Sequence, residues 1–329
     1  MKTRASFCLT EISLPFTLEQ FYVPTDEHFN ANSFCHDAGA PCSWQSGSKN
    51  VMRNLQAYFK PATVPAAVQL FREQPGRGQY IAGGTQVAAA KTPALDYLVD
   101  LTTCGLNYIQ AQDGRLRIGA CVTLAELAQS DLIGAFANGI IATAARWTGS
   151  SQLRNSATAG GRLIAKDDLA LPLLALDAQL VVVGETERTV PLAAFYGNST
   201  EMLREGEVIK ECILPGEFRP AAGSVLRMSQ TQQDVALIAV AATVIVVNGI
   251  CQKARIAVKP VVSGVMRVLP AEAMLEGQTV TGALIERVAA TVAQTIQPLA
   301  DYRASAEYRR QMSRVYVKRA LSECFKIGA

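Results

Sequence analysis

The residues best suited to chemistry in this chain are two glycine pairs with threonines beside them. The first is Ile81-Ala82-Gly83-Gly84-Thr85-Gln86. The second closes the run Arg154-Asn155-Ser156-Ala157-Thr158-Ala159-Gly160-Gly161-Arg162. Glycine has no Cβ, so its backbone can approach a phosphate closely and can reach positive φ. Successive N–H groups in such a turn form an anion-binding concavity, and a threonine hydroxyl adds a donor. Two such loops would suit the two phosphates of a dinucleotide. Taken singly, such a pair is far more often a simple turn than a phosphate loop. Neither is a GxGxxG or a Walker loop.

The histidines narrow the chemistry further. There are two, His28 and His36, and none follows. From Asn50 onward this excludes a Ser-His-Asp triad, a Cys-His pair, a HExxH zinc site and a histidine general base. Any redox or transfer chemistry in the main body then falls to a bound cofactor. Cys35, His36 and Cys42 lie close together, but their spacing is not that of a zinc site. Eight cysteines are spread through 329 residues without a CxxC, so reduced thiols and a cytoplasmic location are expected.

Composition sets the frame for the elements. Apolar residues make up 49% and charged residues 18%, with 31 basic against 28 acidic. This is a globular chain with no charge bias toward nucleic acid. The longest apolar run, Ala236 to Val247, is shorter than the ~20 residues of a membrane helix and reads as a buried strand. Glu11 interrupts the N-terminal apolar stretch, so no signal peptide is expected. Residues 1–50 lack periodicity and read as a poorly ordered extension, with Met52 as an alternative start.

Beyond it, short helices and strands alternate. Thr63 caps a helix running to about Gln74, with Pro65 in its first turn. Gln79 to Ala82 and Tyr97 to Leu101 read as strands. Leu106–Ile109 and Leu116–Ile118 read as a hairpin around Asp113-Gly114. Thr123 to Glu126 is a capping box. Helices are expected at Ile140–Trp147, Ala271–Leu275, Ala283–Thr295 and Ser305–Leu321. Leu173–Val183 reads as a helix end followed by a buried strand, and strands are expected at Arg204–Leu214, within Val225–Val247, and at Ala254–Val262. Pro215-Gly216 marks a domain boundary. The class is α+β.

Five stretches, in order, resemble one family. Ala82-Gly83-Gly84-Thr85 is similar to its AGGT loop, and Arg154 to Arg162 to its RNxATxGGN loop. Leu174-Ala175-Leu176-Asp177-Ala178 resembles its LLALDA stretch. Arg227-Met228-Ser229 with Asp234-Val235-Ala236 resembles K-x-S-R…D-I-A, and Ser305 to Arg310 resembles SAEYRR. The family is that of the FAD-binding subunits of the xanthine dehydrogenase and carbon monoxide dehydrogenase type, the molybdenum hydroxylases. The likeness covers about residues 57–322.

The resemblance implies a fold and a role. The fold is a two-module FAD-binding domain of the vanillyl-alcohol-oxidase (PCMH) type over residues 55–218, then a smaller C-terminal α+β domain over 222–325. Backbone N–H groups of both glycine loops would hold the FAD pyrophosphate. The residues implied are Ile81, Ala82, Gly83, Gly84, Thr85, Gln86, Val87, Thr158, Ala159, Gly160, Gly161 and Arg162, with Asp168 as the flavin-contacting acid and Asp167 its competitor. Lys91 matches a basic position after the first loop but reads as a surface lysine. Electrons would come from [2Fe–2S] clusters and pass through FAD to NAD or another acceptor. The clusters and the molybdenum cofactor would sit on partner chains, and purine oxidation is the expected reaction of the whole. Two departures stand out. Arg162 replaces the family's asparagine, and the loop to Asp168 is about three residues short. They motivate an alternative, a scaffold or assembly subunit that has lost FAD. Trp147, Cys104 and Cys121 read as core. Tyr308, Arg309 and Arg310 read as packing or inter-subunit contacts.

Overall fold

The structure is a computed structural model that describes residues 55–89, 95–197, 202–231, 234–261 and 264–326. The N-terminal extension with both histidines, and Lys91, lie outside the described residues.

The first module begins with β1 (Ala57–Phe59), α1 (Val64–Glu73), β2 (Gly78–Ile81), α2 (Thr85–Ala89) and β3 (Tyr97–Asp100). The strands form a parallel sheet in the order β1-β3-β2. Its middle strand is buried along its whole length, so Tyr97, Leu98 and Val99 follow one another without alternation, and Asp100 closes the strand held by Tyr58 and Thr102. The Thr63 hydroxyl caps α1 by accepting from the Ala66 amide.

The second part of the module runs β4 (Ile109–Gln112), β5 (Arg115–Gly119), α3 (Leu124–Gln129), α4 (Asp131–Gly134), α5 (Ile140–Arg146), α6 (Ser151–Ser156), α7 (Ala159–Ile164) and α8 (Ala170–Ala175). It continues with β6 (Gln179–Val183), β7 (Glu187–Pro191), α9 (Leu192–Gly197) and β8 (Val208–Leu214). The strands make an antiparallel sheet in the order β4-β5-β8-β6-β7. The β4–β5 hairpin turns at Asp113 and Gly114, both with positive φ, as a primed two-residue turn requires. Its first strand starts at Ile109 rather than Leu106. The capping box forms in full, with Thr123 and Glu126 each bonding the other's amide. Residues 150–162 are two short helices meeting at Ala157-Thr158, where a loop was expected.

The C-terminal domain contains β9 (Ala222–Met228), β10 (Ile238–Val247), β11 (Ile250–Val261), β12 (Gly264–Arg267), α10 (Leu269–Ala273), α11 (Gly282–Thr295) and α12 (Ala306–Phe325). Its sheet is antiparallel, ordered β12-β11-β10-β9. The apolar run from Ala236 is explained by what covers β10. Ile238, Val240, Ala242 and Val244 belong to a core shared with α11 and α12. Ala239 and Ala241, on the other face, belong to the core of the first module. Both faces are apolar, so the period of two is hidden. Alanines on the second face let α8 come close enough for the Thr243 hydroxyl to donate to the Ala175 carbonyl.

That face also carries cations. Lys259 on β11 is 2% exposed and donates to Asp168 at 2.6 Å, with Asp167 at 3.6 Å. Arg227 on β9 approaches Asp168 at 3.8 Å and stacks over Trp147. Arg255 and Arg267 both bond Asp177, just beyond α8. Burial pushes the Asp167 carboxyl up, but Lys259, Arg162 and the Asp168 amide pull it down, and the net shift is downward. A carboxyl lowered in the folded state contributes stability above its unfolded pKa and loses it as pH falls through the folded value. Removing one partner of a buried pair leaves the other charge uncompensated. Lys259→Met is therefore expected to lower folding stability by about 3–5 kcal/mol, and adding Asp168→Asn to recover part of it. Urea unfolding of the two variants measures this; a midpoint unchanged in Lys259→Met would contradict it.

Candidate functional site

The two glycine loops meet. The first leaves β2 at Ile81 and turns through Ala82, Gly83 and Gly84 into α2. Gly84 has φ +70°, which favours glycine. Gly83 lies directly on the Ser156 carbonyl oxygen, where a Cβ would overlap it. The second loop is the start of α7, whose N-cap is Thr158. The Ala159 and Gly160 amides donate to Val122 and Ala120 carbonyls at 2.8 and 2.9 Å, and the Arg162 amide to Thr158. A Cβ on Gly160 would stand 2.9 Å from the Ala120 Cβ. This corrects the expectation that both loops offer backbone donors. The amides of Ala159 and Gly160 are spent on holding α7 to the Ala120–Val122 stretch after β5, and that of Arg162 on the first turn of α7 itself. In the first loop, by contrast, the amides of Gly83, Gly84 and Thr85 donate to no group among the described residues.

Between the loops lies a cavity of about 220 Å³. Ile81, Ala82, Gly83, Gly84, Thr85, Gln86 and Val87 line it from one side, and Thr158, Gly160 and Gly161 from the other. Residues that sequence reasoning missed complete it, among them Tyr80, Ala120, Cys121, Ile164, Glu207 and Ile209. Ala120 and Cys121 follow β5, and Glu207 and Ile209 come from the turn into β8 and from β8 itself. No short-range motif marks them; the fold alone brings them in. Cys121 was read as a core residue and is indeed buried, with a wall on the cavity.

The titratable groups of the wall all move away from neutrality. Burial pushes the Cys121 thiol up to about 12 and raises the Tyr80 phenol well above its usual range. Burial raises Glu207, but its bonds from Arg188 and the Arg204 amide outweigh this, and the net shift is downward.

Three expected site residues lie off the cavity wall. Ala159 is buried behind it. The Arg162 guanidinium turns to Thr85 and Asp167. The Asp168 carboxylate is 6% exposed by residue and held by Lys259. Arg309 is 1% exposed and bonds the Leu237 carbonyl and Asp301, so the packing expected of it is present. Tyr308 is half-exposed, and Arg310 pairs with Glu307 on the surface.

Comparison with known proteins accords with this architecture. Residues 51–217 match the FAD binding domain in molybdopterin dehydrogenase, and residues 225–324 match the CO dehydrogenase flavoprotein C-terminal domain. The 6-hydroxypseudooxynicotine dehydrogenase complex subunit alpha of Paenarthrobacter nicotinovorans is 30% identical, over 81% of this chain and 93% of its own. The xanthine dehydrogenase FAD-binding subunit of Escherichia coli O157:H7 is 26% identical, over 83% and 97%. A chain of the solved carbon monoxide dehydrogenase from Hydrogenophaga pseudoflava superposes with a TM-score of 0.77 at 26% identity, covering 84% of this chain and 99% of that one. With both domains matched in order, the chain belongs to the family of FAD-binding medium subunits of the xanthine and carbon monoxide dehydrogenases.

Proposed function

We propose that this chain binds FAD across its two glycine loops and passes electrons within a complex. In this reading a molybdenum-cofactor subunit and a [2Fe–2S] subunit are separate chains, and NAD or another acceptor takes the electrons. The observation that carries the reading is the convergence of both loops on one cavity, with three unspent amides at Gly83, Gly84 and Thr85. Unspent donors in a concave turn suit a pyrophosphate.

The fit to FAD rests also on Gly161. It lines the cavity, and a Cβ there would meet only the Thr158 hydroxyl, at 3.3 Å. Protein packing gives a weak reason for glycine at this position; close approach of a ligand gives a strong one. Arg162 does not obstruct the cavity, so this departure from the family pattern leaves the site open and weakens the scaffold alternative.

Bound FAD supplies the electron chemistry, and the protein supplies position and electrostatics. Ile81 to Val87 would hold the phosphates through backbone N–H groups and the Thr85 hydroxyl. Thr158, Gly160 and Gly161 would form the opposing wall. Ala159, Arg162 and Asp168 would act from behind, fixing α7 and the C-terminal sheet. The names of the relatives, a complex subunit and a medium chain among them, support separate partner chains. The xanthine dehydrogenase relative supports purine oxidation by the complex. Substrates as different as carbon monoxide and 6-hydroxypseudooxynicotine in relatives' names support leaving substrate choice to the molybdenum partner.

The purified protein is expected to be yellow. Gly161→Val should lose the flavin absorbance while its thermal unfolding stays near wild type. Gly160→Val should destabilise the protein itself, because Ala120 occupies the space. A colourless wild-type protein that takes up no added FAD, or a Gly161→Val variant with normal flavin content, would defeat the site assignment. Because no wall group titrates near neutrality, FAD affinity should be flat from about pH 5 to 9; titration of the flavin-free protein at several pH values checks this. If NAD is the acceptor, NADH added without oxygen should bleach the bound flavin.

A further inference from the structure

The Arg162 side chain joins the two glycine loops. Its Nη2 donates to the Thr85 Oγ1 at 3.2 Å, and its Nη1 to the Asp167 Oδ2 at 2.8 Å. The residue is 8% exposed, and its Nε is buried with no hydrogen-bond partner. The hydrogen bonding of the guanidinium thus rests on its two terminal nitrogens, one on each loop contact. Resting on the FAD reading above, we propose that Arg162 is a positioning residue that aims the Thr85 hydroxyl at the pyrophosphate.

A threonine oxygen that accepts from a guanidinium keeps its own proton to donate. Among the described residues Thr85 donates that proton to nothing, and Thr85 lines the cavity. The Arg162 contact takes one side of the oxygen, so the O–H is left to point elsewhere, beside the unspent amides of Gly83, Gly84 and Thr85. The guanidinium also polarises the hydroxyl and makes it a stronger donor to an anion.

Asp167 fixes the guanidinium in turn, and Lys259 stands 3.6 Å from Asp167. A guanidinium fork can serve two acceptors at set angles; an ammonium on a flexible stem cannot hold both in the same geometry. The chain of contacts therefore runs from the C-terminal sheet through Asp167 and Arg162 to a donor on the cavity wall.

The test is a double-mutant cycle on the full chain stripped of flavin. The variants are Arg162→Ala, Thr85→Val and the pair, with Arg162→Lys replacing Arg162→Ala in the cycle if that variant fails to fold. Affinity is measured for FAD and ADP, which carry a pyrophosphate, and for riboflavin, which has no phosphate. Losing one charge-assisted hydrogen bond predicts that each single variant weakens FAD and ADP by roughly 10- to 100-fold. The pair should be no weaker than the weaker single variant, Arg162→Lys should not restore affinity, and riboflavin should bind as to wild type. Additive losses, or equal losses for ADP and riboflavin, would overturn the role given to Arg162. Wild-type protein that binds none of the three would overturn the FAD reading beneath it, and this inference with it.

Discussion

The constraint on which the rest of the structure depends is the charged seam between its two domains. The face of the C-terminal sheet that meets the first module is built from small residues and cations. Ala239, Ala241 and Ala257 supply a flat apolar floor. Arg227, Arg255, Lys259 and Arg267 rise from it at fixed points and form ion pairs with Asp168 and Asp177 on the other side. An alanine floor alone would let α8 rest at several positions of similar energy. The ion pairs select one. Taking these charges out of water is expensive, so the seam is better understood as a specification of geometry than as a source of stability.

Geometry at the seam matters because of what lies next to it in the chain. Asp168 is six residues beyond Arg162 and seven beyond Gly161. When Lys259 holds Asp168, it fixes the turn that ends α7, and Asp167 reaches back from the same turn to Arg162. The far end of α7 is tied down separately, by amides of Ala159 and Gly160 on the strand end at Ala120. The second glycine loop is thereby clamped at both ends, and the first is pressed against it where Gly83 touches the Ser156 carbonyl. The cavity between them is preformed by the fold rather than assembled by a ligand, which favours binding by sparing the cost of ordering loops.

Much of this was legible in the sequence, and what was missed has a physical reason. Caps and turns are local, so Thr63, the Thr123–Glu126 box and Asp113-Gly114 announce themselves. The edge strand β7 (Glu-Arg-Thr-Val-Pro) was missed because only Leu180-side pairing makes it a strand; its residues are mostly polar and exposed, and it ends in proline. The first glycine loop follows β2 as the sequence predicts, and the amides of Gly83, Gly84 and Thr85 donate to no group among the described residues. In the second, position was legible but role was not. Whether an amide in such a run is free depends on a carbonyl 40 residues away, at Ala120, and no local pattern carries that information. The same holds for Arg162. As a departure from a motif it reads as a threat to the site, whereas its partners, Thr85 and Asp167, make it part of the support.

The scarcity of histidine acquires a physical meaning at the cavity wall. A site that moves protons needs a group poised near neutrality. Here burial moves Cys121 and Tyr80 upward, and hydrogen bonds move Glu207 downward. Each group keeps one protonation state across the physiological range. Such a wall would hold a ligand with constant electrostatics and would add no proton step of its own. That is the behaviour wanted of a conduit for electrons, whose driving force would otherwise drift with pH through its own side chains. The titratable groups that line the cavity thus add no change of charge near neutrality.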